Sequence, residues 1–159
     1  MNGLASTLRN KIIIPAIIPL LFPCLLWAGP DLSDGQTLYV PAYSHIYIGH
    51  KATPYMLTVT LSIRNIDPGS SITISAVDYY GTEGKLIRRL IEAPLTLKPM
   101  SSTRYVIPAP DKTGGSGANF IVKWSATGKI NAPIVETIMI GTQSQQGISF
   151  TSRGQAIKD

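Results

Sequence analysis

Gly114, Gly115 and Gly117 crowd into the stretch "DKTGGSGANFIVKW", directly ahead of an apolar run. Glycine-rich loops of this kind cradle phosphates in many nucleotide-binding enzymes. A Walker-type loop needs Lys and then Ser or Thr after its last glycine, followed by a helix. Here Gly117 is followed by Ala118 and Asn119. A dinucleotide fingerprint needs a third glycine at the right spacing and a helix after it, but position 120 is Phe and the segment beyond it alternates like a strand. A nucleophile elbow fails as well, because Ala118 stands where its second glycine belongs. The stretch is therefore expected to be an exposed crossing loop, Gly114 to Gly117, whose glycines allow positive φ.

The two histidines, His45 and His50, lie five apart in "YSHIYIGH". On a strand this odd spacing sends them to opposite faces, and no carboxylate is near to complete a metal site. The expected arrangement has His45 packed among Tyr39, Tyr43 and Tyr47, with His50 exposed at a turn. His45 is nonetheless the best candidate for a functional imidazole. Ser44 beside it points the other way, so the pair is no triad. A hydrolase or metal-binding protein centred on His45 would need Asp78 or Glu136 brought to it from a distance. Both acids sit in otherwise apolar segments. Glu136 shares parity with Ile134, Ile138 and Ile140. If that face were the core, Glu136 would need Arg64, Arg104 or Lys123 as a partner. The favoured alternative turns Val135, Thr137 and Met139 inward and leaves Glu136 outside.

These residues need a frame, and its start is preceded by a different kind of segment. "MNGLASTLRNK" carries Arg9 and Lys11 and no acid, and Ile12 to Ala28 is apolar throughout. A basic start, an apolar stretch and a small residue at Ala28 predict an export signal at 1–28. Pro15, Pro19 and Pro23 interrupt the run, which disfavours a spanning helix. Uncleaved, it would instead make the protein a structural module tethered to the membrane by 12–28. Cys24 is the only cysteine, so cleavage after Ala28 would exclude disulfides and thiolate chemistry. Removing Arg9 and Lys11 would lower the net charge from +5 to +3 (5 minus 2). The remaining basic residues are scattered, which disfavours nucleic acid as a partner.

Period-two patterning dominates the rest. In "YMLTVTLSIRN", Leu57, Val59, Leu61 and Ile63 share one face. "ITISAVDYY" changes phase between Ile74 and Val77, which requires a bulge or cover on both faces. "GTEGK" is a hairpin loop with "LIRRLI" as its return, and "TRYVI" is a short strand. Phe120, Val122 and Trp124 share a face. "IVETIMIG" is apolar on both faces, as a central strand would be. "QTLYVPAYSHIYIGH" holds one or two strands, with Pro41 at a bend or edge. No stretch has a capped 3.6-residue period. About seven to nine strands are expected in a single antiparallel β-sandwich, immunoglobulin-like or fibronectin-like. The sandwich is placed at 36–154, between a short leader at 29–35 and a tail at 155–159.

The segments "YVPAYSHIY", "LTVTLSIRN", "VDYYGTEGKLI", "GGSGANFIVKW" and "IGTQSQQGISFTSRG" occur in that order. Together they resemble the bacterial domain of unknown function 3124 family over Gln36 to Gly154. The resemblance implies a small exported bacterial protein and transfers no catalytic residue, cofactor or metal. Its two most characteristic motifs supply a candidate functional surface of Tyr43, His45, Tyr47, Asn119, Gln143, Gln146 and Arg153. Tyrosines give broad amphipathic contact area and side-chain amides give directional hydrogen bonds. The expected function is a non-catalytic binding or accessory module of the periplasm or cell envelope. Its expected partner is an envelope protein, a glycan or a small ligand.

Overall fold

The computed structural model describes residues 32–143 and 146–158. The expected export signal lies outside them. Every element is a strand: β1 (Leu32–Pro41), β2 (His45–Ile48), β3 (Thr53–Met56), β4 (Thr58–Arg64), β5 (Ile72–Tyr80) and β6 (Leu86–Arg89), followed by β7 (Leu95–Leu97), β8 (Ser102–Ile107), β9 (Asn119–Asn131), β10 (Ile134–Gln143), β11 (Gln146–Arg153) and β12 (Gln155–Ile157). One sheet runs β12-β1-β9-β5-β6, with β7 also on β5. A second runs β11-β10-β4-β8, and β2 pairs with β3 as a separate hairpin. All pairings are antiparallel.

The two large sheets close on one core, as a sandwich does. Leu57, Val59, Leu61 and Ile63 are fully buried from one side, and Val40, Ile74, Val77, Phe120 and Val122 from the other. Burying each of these side chains contributes about 1.5–3 kcal/mol. The change of phase in β5 is a bulge: its register on β9 shifts between Ile74 and Ala76. That shift lets Ile72, Ile74, Val77 and Tyr79 all face the core. β10 is central, between β11 and β4, as its apolar faces require. Val135, Thr137 and Met139 point inward, and Glu136 lies on the outer face with its Oε1 3.9 Å from Arg64 Nε.

Three expectations are corrected. Among the described residues the strands number twelve rather than about seven to nine. The surplus comes from short strands such as β7 and β12, three residues each, too short to show a period. The sandwich also overruns its expected limits: Leu32 and Ser33 already pair with β9, and Gln155 to Ile157 pair with β1. Finally, the glycine stretch is not an exposed loop throughout. Gly114 is buried, and a Cβ there would meet Tyr79 Cζ at 2.6 Å. Within Gly114–Gly117, only Gly115 has positive φ, 74°. The first glycine is present for close approach to a tyrosine, and backbone freedom is needed only at the second.

Candidate functional site

The sandwich has two ends. β1, β8 and β10 arrive at one of them, and β4, β9 and β11 run away from it. That end collects the β2–β3 hairpin, the glycine stretch, the 81–85 turn, the last residue of β10 and the first of β11. The opposite end holds the turns after β4 and β9 and the passage from β11 to β12.

At the first end the hairpin is anchored by alternate residues. Tyr55 is buried at 2% exposure, and its hydroxyl accepts from the Gln143 backbone N–H at 2.9 Å. Ile46, its register partner, packs on the core. Leu57 N–H donates to Ser44 O at 3.0 Å where the hairpin returns to β4. Alternation then puts His45 and Tyr47 on the outward face, opposite Met56 and Pro54. Tyr47 is 56% exposed. Its hydroxyl lies 3.2 Å from His45 Nε2, and the two rings stand edge to face with centroids 5.2 Å apart. His45 thus has one of its three expected tyrosines. Tyr43 packs edge-on against Phe150 at 5.9 Å, and Tyr39 lies on the outer face of the larger sheet, opposite Ile121.

Beneath the hairpin lies a packed platform. Ser44 is fully buried and its hydroxyl is 2.9 Å from the Tyr79 hydroxyl. Burial, the main influence on this phenol, pushes its pKa up from the ordinary value. The Tyr79 ring leans on Phe120 with centroids 5.0 Å apart. Gly114 O accepts from both Thr82 N–H and Thr82 Oγ1, at 2.9 and 3.0 Å. Thr82 Oγ1 in turn accepts from Gly117 N–H at 3.0 Å. Ser44 N–H donates to Gly115 O at 3.0 Å, tying the loop to the base of the hairpin. The glycine stretch is thus a strut, with its carbonyls engaged by neighbouring segments.

The sequence-predicted surface therefore divides. Tyr43, His45, Tyr47, Gln143 and Gln146 come to the hairpin end, with Gln143 and Gln146 as register partners. Asn119 reaches the same end but is 9% exposed, flanked by Pro41 and Tyr80. Arg153 lies at the opposite end, opposite Glu136. The acids considered as partners for His45 are dispersed. Asp78 faces outward from the larger sheet, opposite Arg89 and Ile121. Glu136 faces outward from the other sheet, so the two acids point away from the sandwich in opposite directions. Among the described residues, no three His, Asp or Glu side chains are placed to hold a metal.

Sequence reasoning missed a polar cluster at the far end. Asp67, 8% exposed, accepts from Gly69 and Ser70 N–H at 3.0 and 2.8 Å through Oδ1. Its Oδ2 accepts from Asn131 N–H and Nδ2 at 3.1 and 3.0 Å. The backbone donors of Asn131 and Gly69 lower its pKa to about 2. Asn65 Nδ2 reaches Ser70 O and Lys98 O at 2.8 and 3.0 Å. The available signal was the run "NIDPGS", which the sequence pattern marks only as a turn.

Fold and site together define the class: an all-β antiparallel sandwich carrying an outward aromatic hairpin. The chain belongs to the family described as protein of unknown function (DUF3124), whose model matches residues 35–157. No curated protein matches the chain. Among solved structures, it is similar to the crystal structure of Thermotoga maritima 1070 at 8% identity and a TM-score of 0.44, over 76% of this chain and 92% of that one.

Proposed function

We propose that this protein is an exported, non-catalytic binding module of the cell envelope, making its contact through the hairpin end. One observation carries this reading: motifs about 100 residues apart in sequence, around His45 and around Gln143, meet at a single end. They meet through the Tyr55 hydroxyl and the Gln143 amide. The hairpin presents Tyr47 and His45 outward on a buried foot, so a partner meets a preorganised pair at low entropy cost. Its protruding shape suits a macromolecule with a recess, an envelope protein or polymer, better than a small ligand that needs enclosure. The basic and apolar start of the chain supports export, and the separation of His45, Asp78 and Glu136 supports the absence of catalysis.

The test is co-sedimentation of the full chain with the cell-envelope fraction of its source bacterium. Tyr47→Ala is expected to weaken retention about 30-fold, the effect of losing a tyrosine hot spot worth about 2 kcal/mol. Lys129→Ala, at the other end of the sandwich, should leave retention unchanged. Equal retention of the wild type and Tyr47→Ala would sink the reading. Mass spectrometry of the mature N-terminus separately tests export. A chain beginning near Gly29 supports a cleaved signal, and an intact Met1 would favour the tethered module.

A further inference from the structure

The β2–β3 hairpin carries an unbalanced charge. No Asp or Glu occurs between Asp34 and Asp67, a span that includes His45, His50, Lys51 and Arg64. His50 and Lys51 are exposed at the hairpin's four-residue tip, which closes through Ala52 N–H donating to Gly49 O at 3.2 Å. Gly49 and Ala52 both take positive φ there, 66° and 49°. Among the described residues, Lys51 makes no ion pair. Asp111, at the same end, is already paired with Arg88 at 2.6 Å, and Glu83 has Lys85 two positions on in its turn. Beside the tip, the register sets Tyr47 opposite Pro54 and His45 opposite Met56 on the outward face. Tyr47 and Pro54 are exposed, and His45 and Met56 are half-buried. A stable protein partner takes about 800 Å² and roughly 20–30 residues from each side, far more than these four side chains offer. A polysaccharide is one ring wide, and its C–H groups pack on the negatively polarised face of an aromatic ring.

We infer that the hairpin binds an acidic polysaccharide. A sugar ring lies on Tyr47, the imidazole and phenol edges of His45 and Tyr47 supply hydrogen bonds, and Lys51 meets a carboxylate further along the polymer. The acid-free hairpin supplies the charge complementarity, and the narrow aromatic face favours a sugar chain over an acidic protein. This inference rests on the hairpin reading above and names the chemistry of its partner.

The test is a fluorescence-polarisation titration of labelled oligogalacturonate and oligomannuronate with the full chain. The methyl esters of both serve as neutral counterparts and polyglutamate as an acidic polymer without rings. At least one uronate oligomer is expected to bind saturably, and at least about fivefold more tightly than its ester, the scale of one exposed ion pair. Raising the salt to about 0.5 M should remove that advantage. Polyglutamate should bind at least about fivefold more weakly, because it places no ring on Tyr47. Tyr47→Ala should weaken the uronate about 30-fold and Lys51→Gln about threefold. Arg104→Gln, on the outer face of the smaller sheet, should change nothing. No saturable binding up to about 10 mM oligomer, beyond the millimolar range, would overturn the inference. So would an ester or polyglutamate that binds as tightly as the uronate, or undiminished binding by a folded Tyr47→Ala variant. If the uronates fail while envelope retention still depends on Tyr47, this inference falls and the hairpin reading stands. If both fail, both fall.

Discussion

The two ends of the sandwich solve the same problem with different chemistry. Each must satisfy backbone groups where strands stop, without exposing the core. Directly beneath the hairpin the first end uses neutral groups, namely the Tyr79 and Ser44 hydroxyls, the Tyr55 hydroxyl on Gln143, and Thr82 between Gly114 and Gly117, while its carboxylate, Asp111, sits at the start of the glycine stretch with Thr113 and Arg88. The far end uses one carboxylate, Asp67, which gathers four donors at 2.8–3.1 Å from Gly69, Ser70 and Asn131. A neutral platform can sit under an exposed aromatic pair without imposing a charge on whatever docks there. A carboxylate locks its turns firmly and makes that end sensitive to acid. The difference shows why rigidity at one end and display at the other occur in a single small domain.

The largest break in this comparison comes from Tyr79→Ala. Emptying a fully buried aromatic site costs about 3–5 kcal/mol and removes the contact that Gly114 is shaped to fit. Urea denaturation should show the loss, and binding through the hairpin should fall with it. Next is Gly114→Ala, expected to cost about 1–3 kcal/mol by overpacking against Tyr79. An Ala variant as stable as the wild type would remove the strut from the account. Smaller still is Tyr55→Phe, which keeps the ring and deletes the hydroxyl that accepts from the Gln143 amide, at about 1 kcal/mol. Hydrogen exchange at Gln143 should rise while exchange at Asn131 stays constant.

The last effect belongs to the far end and is read as a pH dependence that appears only in acid. The Asp67 pKa falls from 3.8 to about 2 on folding, so its contribution is fully present above about pH 4. It is lost as pH falls through about 2, when the folded state must take up the proton. Gly69, Ser70 and Asn131 amides should therefore lose protection across that window before Thr82 and Gly117 do. Asp67→Asn should abolish the difference between the ends. Simultaneous loss in the wild type would mean that the ends are not distinct.

The sandwich was legible because burial imposes a two-residue period. Leu57 to Ile63 and Phe120 to Trp124 show it without interruption, and the phase change before Val77 marks the bulge. Strands of three residues carry no period, so β7 and β12 were not visible. The glycine stretch was misjudged for a different reason. Gly114 is small because of Tyr79, which lies 35 positions earlier, and single-chain patterning holds no record of that contact. Asp67 and Asn131 are 64 positions apart and were hidden in the same way. The hairpin residues were found by type, but their meeting with Gln143 depends on Tyr55, whose role needed the fold.

The claim that matters most is that the hairpin end is where the partner docks. Hydrogen–deuterium exchange of the full chain, with and without its envelope fraction, measures this directly. Protection confined to 45–48, 53–56 and the region of Gln143 is the predicted result. Protection absent there, or found only on the outer faces of the two sheets, would contradict it.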